Sequence, residues 1–308
     1  MSVFYNISEL SQVTNSIVTI GTFDGVHLGH QKIIKRLVEL KQKQGGEIVL
    51  FTFDPHPRKI LFPEQKDLKL ITTTEEKCDI LKQFGVDHVL VYPFTTEFSK
   101  MQAQDYISNI IAKGLKTKTL VIGYDHRFGS NREGSIDTLK QFAPIYHFDL
   151  EEIPAQEINQ LNVSSTRIRK AIEDGDIQTA NDFLGYTFFI TGEVIKGKQL
   201  GRTIGYPTAN IFIDNADKLI PKIGVYAVNV VLKGVTYKGM LNVGTNPTTD
   251  FDNKIKIEVN IFDFDADIYG ETLKVEFVKW IRNEEKFANL DELKQALAND
   301  KIACTHAL

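Results

Sequence analysis

At 308 residues, with 42% hydrophobic and 25% charged side chains and a formal net charge of -4, the chain exceeds what one core usually serves and reads as two globular domains, not as a general nucleic-acid binder. Cys78 and Cys304 are too few and too far apart for a disulfide framework or a zinc site. No apolar window approaches a membrane span and MSVFYNISEL carries no signal-peptide pattern, so the expected setting is the cytoplasm, with small-molecule partners, no nucleic acid, no membrane, and a monomer or weak homo-oligomer.

From Ser16 to about Asp182, short apolar runs alternate with amphipathic ones. Strands are predicted at 17–23, 47–53, 88–92, 119–123 and 145–150, and helices at about 30–44, 75–84, 101–113 and 134–142. This βαβ alternation predicts an α/β domain with a parallel sheet covered on both faces, its chemistry lying past the carboxyl ends of the strands.

The first such end is Gly21-Thr22-Phe23-Asp24-Gly25-Val26-His27-Leu28-Gly29-His30-Gln31, which joins a strand carrying Ile17, Val18 and Ile20 to a helical pattern of Ile33, Ile34, Leu37, Val38 and Leu40. The first N–H groups of that helix lack internal partners, and its dipole favours an anion there. Gly29 lies between His27 and His30, so both imidazoles can flank one phosphate as N–H donors without a metal. Surface histidines beside a helix cap are the plainer alternative.

Strand 47–53 ends in Asp54-Pro55-His56-Pro57-Arg58, a rigid turn presenting an acid, an imidazole and a guanidinium. Phe62 suits stacking on a planar ring, or a place in the core. The fourth strand ends in Gly123-Tyr124-Asp125-His126-Arg127-Phe128-Gly129, and Tyr106 on the preceding helix is a lesser candidate for the same pocket. Ser164-Ser165-Thr166-Arg167-Ile168-Arg169 then opens a helix. Its hydroxyls and arginines gather donors and positive charge at a helix N-terminus, although any of the hydroxyls would also serve as an N-cap.

The pattern changes near Asp182, which sets the expected domains at 1–182 and 183–308. Beyond it, β-branched runs at about 187–195, 209–213, 224–232, 236–243, 255–263 and 272–281 predict a six-stranded antiparallel barrel, covered at one end by a helix carrying Leu290, Leu293, Ala296 and Leu297. Gly197, Gly201 and Gly205, with Lys198 and Arg202 between them, make a loop whose N–H groups suit phosphates. It is not a Walker loop, because the spacing is one residue short and Arg202 stands where lysine is required. Thr208 and Asn210 are two apart in an extended run and share a face, where a hydroxyl and an amide oxygen suit Mg²⁺ or form ordinary strand-edge polarity. Glu258 shares a face with Asn260 and is either solvent-facing or a buried base. Arg282 belongs either to a site or to a solvated charge run.

GTFDGVHLGHQ resembles the FAD synthetase branch of the HxGH nucleotidyltransferases, as do FDPHP, the segment 123–129 and SSTRIR, while GRTIGYPTAN resembles the riboflavin kinase signature. Over essentially its whole length the chain resembles the bacterial bifunctional riboflavin kinase/FMN adenylyltransferase family. The resemblance implies phosphorylation of riboflavin to FMN by ATP in the barrel, then adenylylation of FMN by a second ATP to FAD in a Rossmann-like domain, with Mg²⁺ as cofactor. It implies that Gly21, Phe23, Asp24, Gly29, His30, Ser165, Thr166 and Arg169 meet ATP in the first domain, with His27, His30 and Arg169 stabilising charge. It also implies that His56, Pro57, Arg58, Phe62, Tyr106, Asp125 and Phe128 face the flavin there, with His126 standing where the family has an aromatic. In the barrel it implies Gly197, Lys198, Gly201, Arg202 and Gly205 on ATP, Thr208 and Asn210 on Mg²⁺, Arg282 beside the flavin, and Glu258 as base for the ribityl 5′-hydroxyl. A monofunctional adenylyltransferase with a flavin-binding barrel, and a flavin-sensing regulator, are the alternatives.

Overall fold

The computed structural model describes residues 1–64, 67–155, 162–197, 200–245 and 255–308, which form two compact units, Met1–Ser165 and Thr166–Leu308. In the first, six parallel strands, β1 (Ser2–Phe4), β2 (Ser16–Ile20), β3 (Glu47–Asp54), β4 (His88–Pro93), β5 (Thr117–Gly123) and β6 (Asp149–Ile153), lie in the order β1-β4-β3-β2-β5-β6. Every residue of β2 is buried, as suits a central parallel strand covered on both faces. The strand order reverses between β2 and β5, so the crevice at their carboxyl ends is the place where this topology binds ligands.

Several expected elements move. β6 starts at Asp149, because Ile145 and Tyr146 finish the helix Ile136–Tyr146 and His147 ends it in a left-handed conformation. So short an apolar run does not distinguish strand from helix by periodicity. β2 stops at Ile20, short of residue 23, and the helix α1 (Leu28–Gln44) starts before residue 30, with His27 as its N-cap. The helix expected at 101–113 is a short turn, Ala103–Asp105, running into a π-helix, Tyr106–Gly114. β1 has three residues, too few to show a pattern in sequence.

In the second unit, β7 (Phe189–Ile195), β8 (Ala209–Phe212), β9 (Gly224–Leu232), β10 (Val235–Thr245), β11 (Ile255–Ile261) and β12 (Thr272–Arg282) close into an antiparallel barrel in the order β10-β11-β8-β7-β12-β9. Closure leaves no unpaired sheet edge. Two helices, Ser165–Asp174 and Ile177–Leu184, precede the barrel and group with it almost entirely. The terminal helix Leu290–Ala307 lies on β9, β10 and β12, burying Cys304 against Ala227, Met240 and Phe262.

Candidate active sites

The turn between β2 and α1 is conformationally strained. Phe23 (φ 48), Gly25 (φ 80) and Val26 (φ 37) all take positive φ, which for a bulky and a β-branched residue requires surroundings that over-determine the backbone. Those surroundings are polar and buried. Asp24 Oδ1 accepts the N–H groups of Ile71 (2.9 Å) and Thr72 (3.2 Å), and Gly25 N–H donates to Thr72 Oγ1 (3.1 Å). Ser165 Oγ donates to the Asp24 carbonyl (3.0 Å). The Asp24 carboxylate therefore fixes the turn, a different use from the nucleotide contact that the resemblance implies.

The turn delivers two imidazoles to the start of α1. His27 and His30 stack with ring centroids 3.7 Å apart and planes 16° from parallel, and Phe23 lies 4.8 Å from His30. Gly29 makes this possible, since a Cβ there would sit 3.2 Å from His27 Cε1. At Gly21 a Cβ would meet the Phe23 ring at 3.1 Å. Burial, then His27, then Lys77 push the His30 imidazole well below its usual range, so at neutral pH it is an uncharged ring with one N–H to offer. Two imidazoles at a helix N-terminus form a set of donors for an anion. Thr166 and Arg169 lie in the second unit, where Thr166 is exposed and Arg169 buried.

Around the ends of β3 and β5 the structure assembles an aromatic chain of which only part was legible in sequence. Tyr106 stacks on Phe128 (5.3 Å), and Phe98 links Tyr106 (5.9 Å) to Phe53 (5.9 Å) and Phe94 (5.6 Å). Tyr106 and Phe128 are buried in the core of the unit, whereas Asp125 and Phe62 are exposed. His56 is half-buried and caps a short helix, Pro57–Leu61, by accepting the Arg58 N–H (3.2 Å). His126 lies against Phe128 (5.8 Å). Burial pushes its imidazole down to about 4, with Asp125 opposing and Arg132 adding.

In the barrel, Glu258 on β11 stands opposite Asn210 on β8 and Asn242 on β10. It is half-buried and paired with Lys256 at 2.5 Å, a partner that alternation already sets on its face, whereas the pairing with Asn242 comes from the register of β10. Asn210 is buried, and a Cβ on Gly197 would sit 2.1 Å from its Nδ2. A Cβ on Gly201 would sit 2.2 Å from the Tyr206 carbonyl oxygen and 3.5 Å from Thr208 Oγ1. Gly197 and Gly201 thus lie directly over the two oxygen donors, and Gly205 takes a positive-φ conformation. Lys198 falls outside the described residues. Arg202 and Thr208 line a cavity of about 320 Å³ with the segment Phe264–Tyr269, which no motif marks. Arg282 is committed elsewhere, its Nε and Nη2 donating to Asp300 Oδ1 (2.8 Å) and Oδ2 (2.7 Å) on the terminal helix.

Residues 10–167 match the FAD synthetase family model and residues 184–308 the riboflavin kinase model. A bifunctional riboflavin kinase/FMN adenylyltransferase of Listeria monocytogenes is 39% identical, covering 93% of this chain and 90% of its own. The protein of that name from Escherichia coli K12 is 37% identical over 98% of this chain and 96% of its own. A crystal structure described as a macrolide-efflux protein from Streptococcus pneumoniae superposes with a TM-score of 0.87 and 34% identity, covering 99% of this chain and 98% of that one. Among the described residues no helix is long and apolar enough to cross a membrane. With both family models matched in order and relatives aligned over nearly their full length, the chain belongs to the bifunctional riboflavin kinase/FMN adenylyltransferase family.

Proposed function

We propose that the chain makes FMN from riboflavin and FAD from FMN, spending one ATP at each step, with the adenylyltransferase part at residues 1–182 and the kinase part at 183–308. The observation that carries this reading is a separate set of phosphate-binding features in each unit: stacked histidines at a helix N-terminus in one, and Gly197 and Gly201 over Asn210 and Thr208, with Glu258 opposite, in the other.

In the kinase step Glu258 takes the proton of the riboflavin 5′-hydroxyl as that oxygen attacks the γ-phosphorus of ATP, and the bond to the β-phosphate oxygen breaks to release ADP. Gly197, Gly201 and Gly205 bring backbone close to the phosphates. The Thr208 hydroxyl and Asn210 amide oxygen are hard donors that suit Mg²⁺, with phosphate and water oxygens completing its shell. Bound there, Mg²⁺ would supply charge neutralisation on the phosphates.

In the adenylyl step an FMN phosphate oxygen attacks the α-phosphorus of ATP and pyrophosphate leaves. No protein base is required, because a phosphate monoester is already ionised near neutral pH. His27 and His30 donate N–H groups to the charge that develops, in a site already built. Ser165 lies beside the turn, while Thr166 and Arg169 enter through the SSTRIR string alone. The tyrosine and phenylalanines around Phe128 suit an apolar ring system. We infer a cytoplasmic enzyme that acts without nucleic acid, as a monomer or weak homo-oligomer.

Incubation with riboflavin, ATP and Mg²⁺, followed by separation of the flavins, tests the reading. FMN and FAD are expected in sequence, with FAD also formed from FMN and ATP. No turnover of either flavin would sink it.

A further inference from the structure

Lys77 is buried on the helix Thr74–Gln83, and neither reaction above uses it. Its Nζ donates to Thr52 Oγ1 at 3.2 Å, and the Thr52 hydroxyl donates to the Thr22 carbonyl at 3.1 Å, inside the turn that precedes the histidines. Burying an ammonium is costly unless other groups offset it, and among the described residues Thr52 is its one hydrogen-bond partner, which leaves donors to spare. Burial pushes the Lys77 ammonium below its ordinary value, opposed by Asp24 from the turn, Cys78 beside it on its own helix and Asp54 from the end of β3. Asp24 is already held by the amides of Ile71 and Thr72. So the lysine is kept in place by a relay into the turn and by charge, with no ion pair at contact distance among the described residues.

We propose that Lys77 is a positioning residue for adenylyl transfer: through Thr52 and the Thr22 carbonyl it holds the turn that presents His27 and His30, and it sets positive charge near His30. This rests on the adenylyltransferase reading above. The relay matters because a small misplacement of a donor in a preorganised site costs much of its effect. The charge matters because it adds to burial and to His27 in holding the His30 imidazole neutral, leaving one N–H for the phosphate.

The full-length chain with Lys77→Met or Thr52→Val tests this, with FAD formation from FMN and ATP and the ring titration of His30 by NMR as readouts. Lys77→Met is expected to lower kcat for FAD formation about 10²-fold, to leave FMN formation in the barrel unchanged, and to make His30 titrate at higher pH. Thr52→Val breaks the relay but keeps the charge, so FAD formation falls while His30 titrates as in the wild type. Undiminished FAD formation in Lys77→Met, or an unmoved His30 titration there, overturns the proposal. Should Lys77→Met fail to fold, Thr52→Val decides: loss of FAD formation in that folded variant supports the relay, and wild-type turnover overturns it. A wild type that makes no FAD would instead defeat the adenylyltransferase reading, with no variant involved.

Discussion

Glu258 and Asn210 are direct partners across the β8–β11 ladder, so a carboxylate and an amide meet on one face of the barrel wall. If Glu258 is the base, Glu258→Gln keeps the shape and removes the proton acceptor. FMN formation is expected to fall about 10²–10⁴-fold, with conversion of FMN to FAD unaffected. Loss of both activities in a folded variant would contradict independent sites.

The complementary substitution is His30→Ala. Removing one preorganised donor to a developing charge typically costs about 10²–10³ in kcat. FAD formation should fall by that order while riboflavin phosphorylation continues. Measuring both half-reactions on the two variants gives a crossed pattern, and the absence of the cross would reject these roles.

Gly29→Ala separates helix stability from site geometry. Alanine is favoured over glycine in a helix by about 1 kcal/mol, yet its Cβ would sit 3.2 Å and 3.3 Å from two atoms of the His27 ring. The expected outcome is an unchanged or slightly higher Tm together with a loss of about tenfold in FAD formation as the ring is displaced. A variant with wild-type turnover would show that the stack of His27 on His30 is not needed.

Both layers of the fold were legible because their periodicities differ. Continuous apolar runs such as Ile48–Phe51 and alternating ones such as Ile257–Ile261 marked the parallel sheet and the barrel respectively. The His27–Gly29–His30 spacing was legible too, because a glycine between two histidines at a helix start admits few other arrangements. What the sequence hid were partnerships set by tertiary packing. The carboxylate of Asp24 turns to the amides of Ile71 and Thr72, Lys77 reaches Thr52, and Phe98 joins Phe53 to Tyr106. No local spacing encodes contacts between residues so distant in the chain.

His126 makes the first unit sensitive to acid. Its folded pKa, about 4, lies below the usual 6.5, so between those values the unfolded chain binds the proton and the folded one does not. Stability from this residue is intact above pH 6.5 and is lost as pH falls from about 6.5 toward 4, at a slope of at most about 1.4 kcal/mol per pH unit. His126→Phe keeps a ring beside Phe128 and removes the titration. Hydrogen exchange of the β5 amides at pH 7 and pH 5 should show a smaller difference in the variant; an equal difference would place the acid sensitivity elsewhere.

Arg282 tests where resemblance and geometry part. The family likeness sets it beside the flavin, but its guanidinium is spent on both oxygens of Asp300, which is 3% exposed on the terminal helix. The hydrogen bonds to Asp300 also hold the guanidinium above its ordinary pKa. Arg282→Leu leaves a buried carboxylate without its partner, an arrangement that costs about 3–5 kcal/mol, whereas Arg282→Leu with Asp300→Leu removes both charges and should cost less than Arg282→Leu alone. Trp280, the sole tryptophan, is two residues away on β12, so its fluorescence in urea follows this region directly. A lowered midpoint for the single substitution with partial recovery in the double identifies Arg282 as the anchor of the terminal helix. An unchanged midpoint with a raised KM for riboflavin would return it to the flavin site.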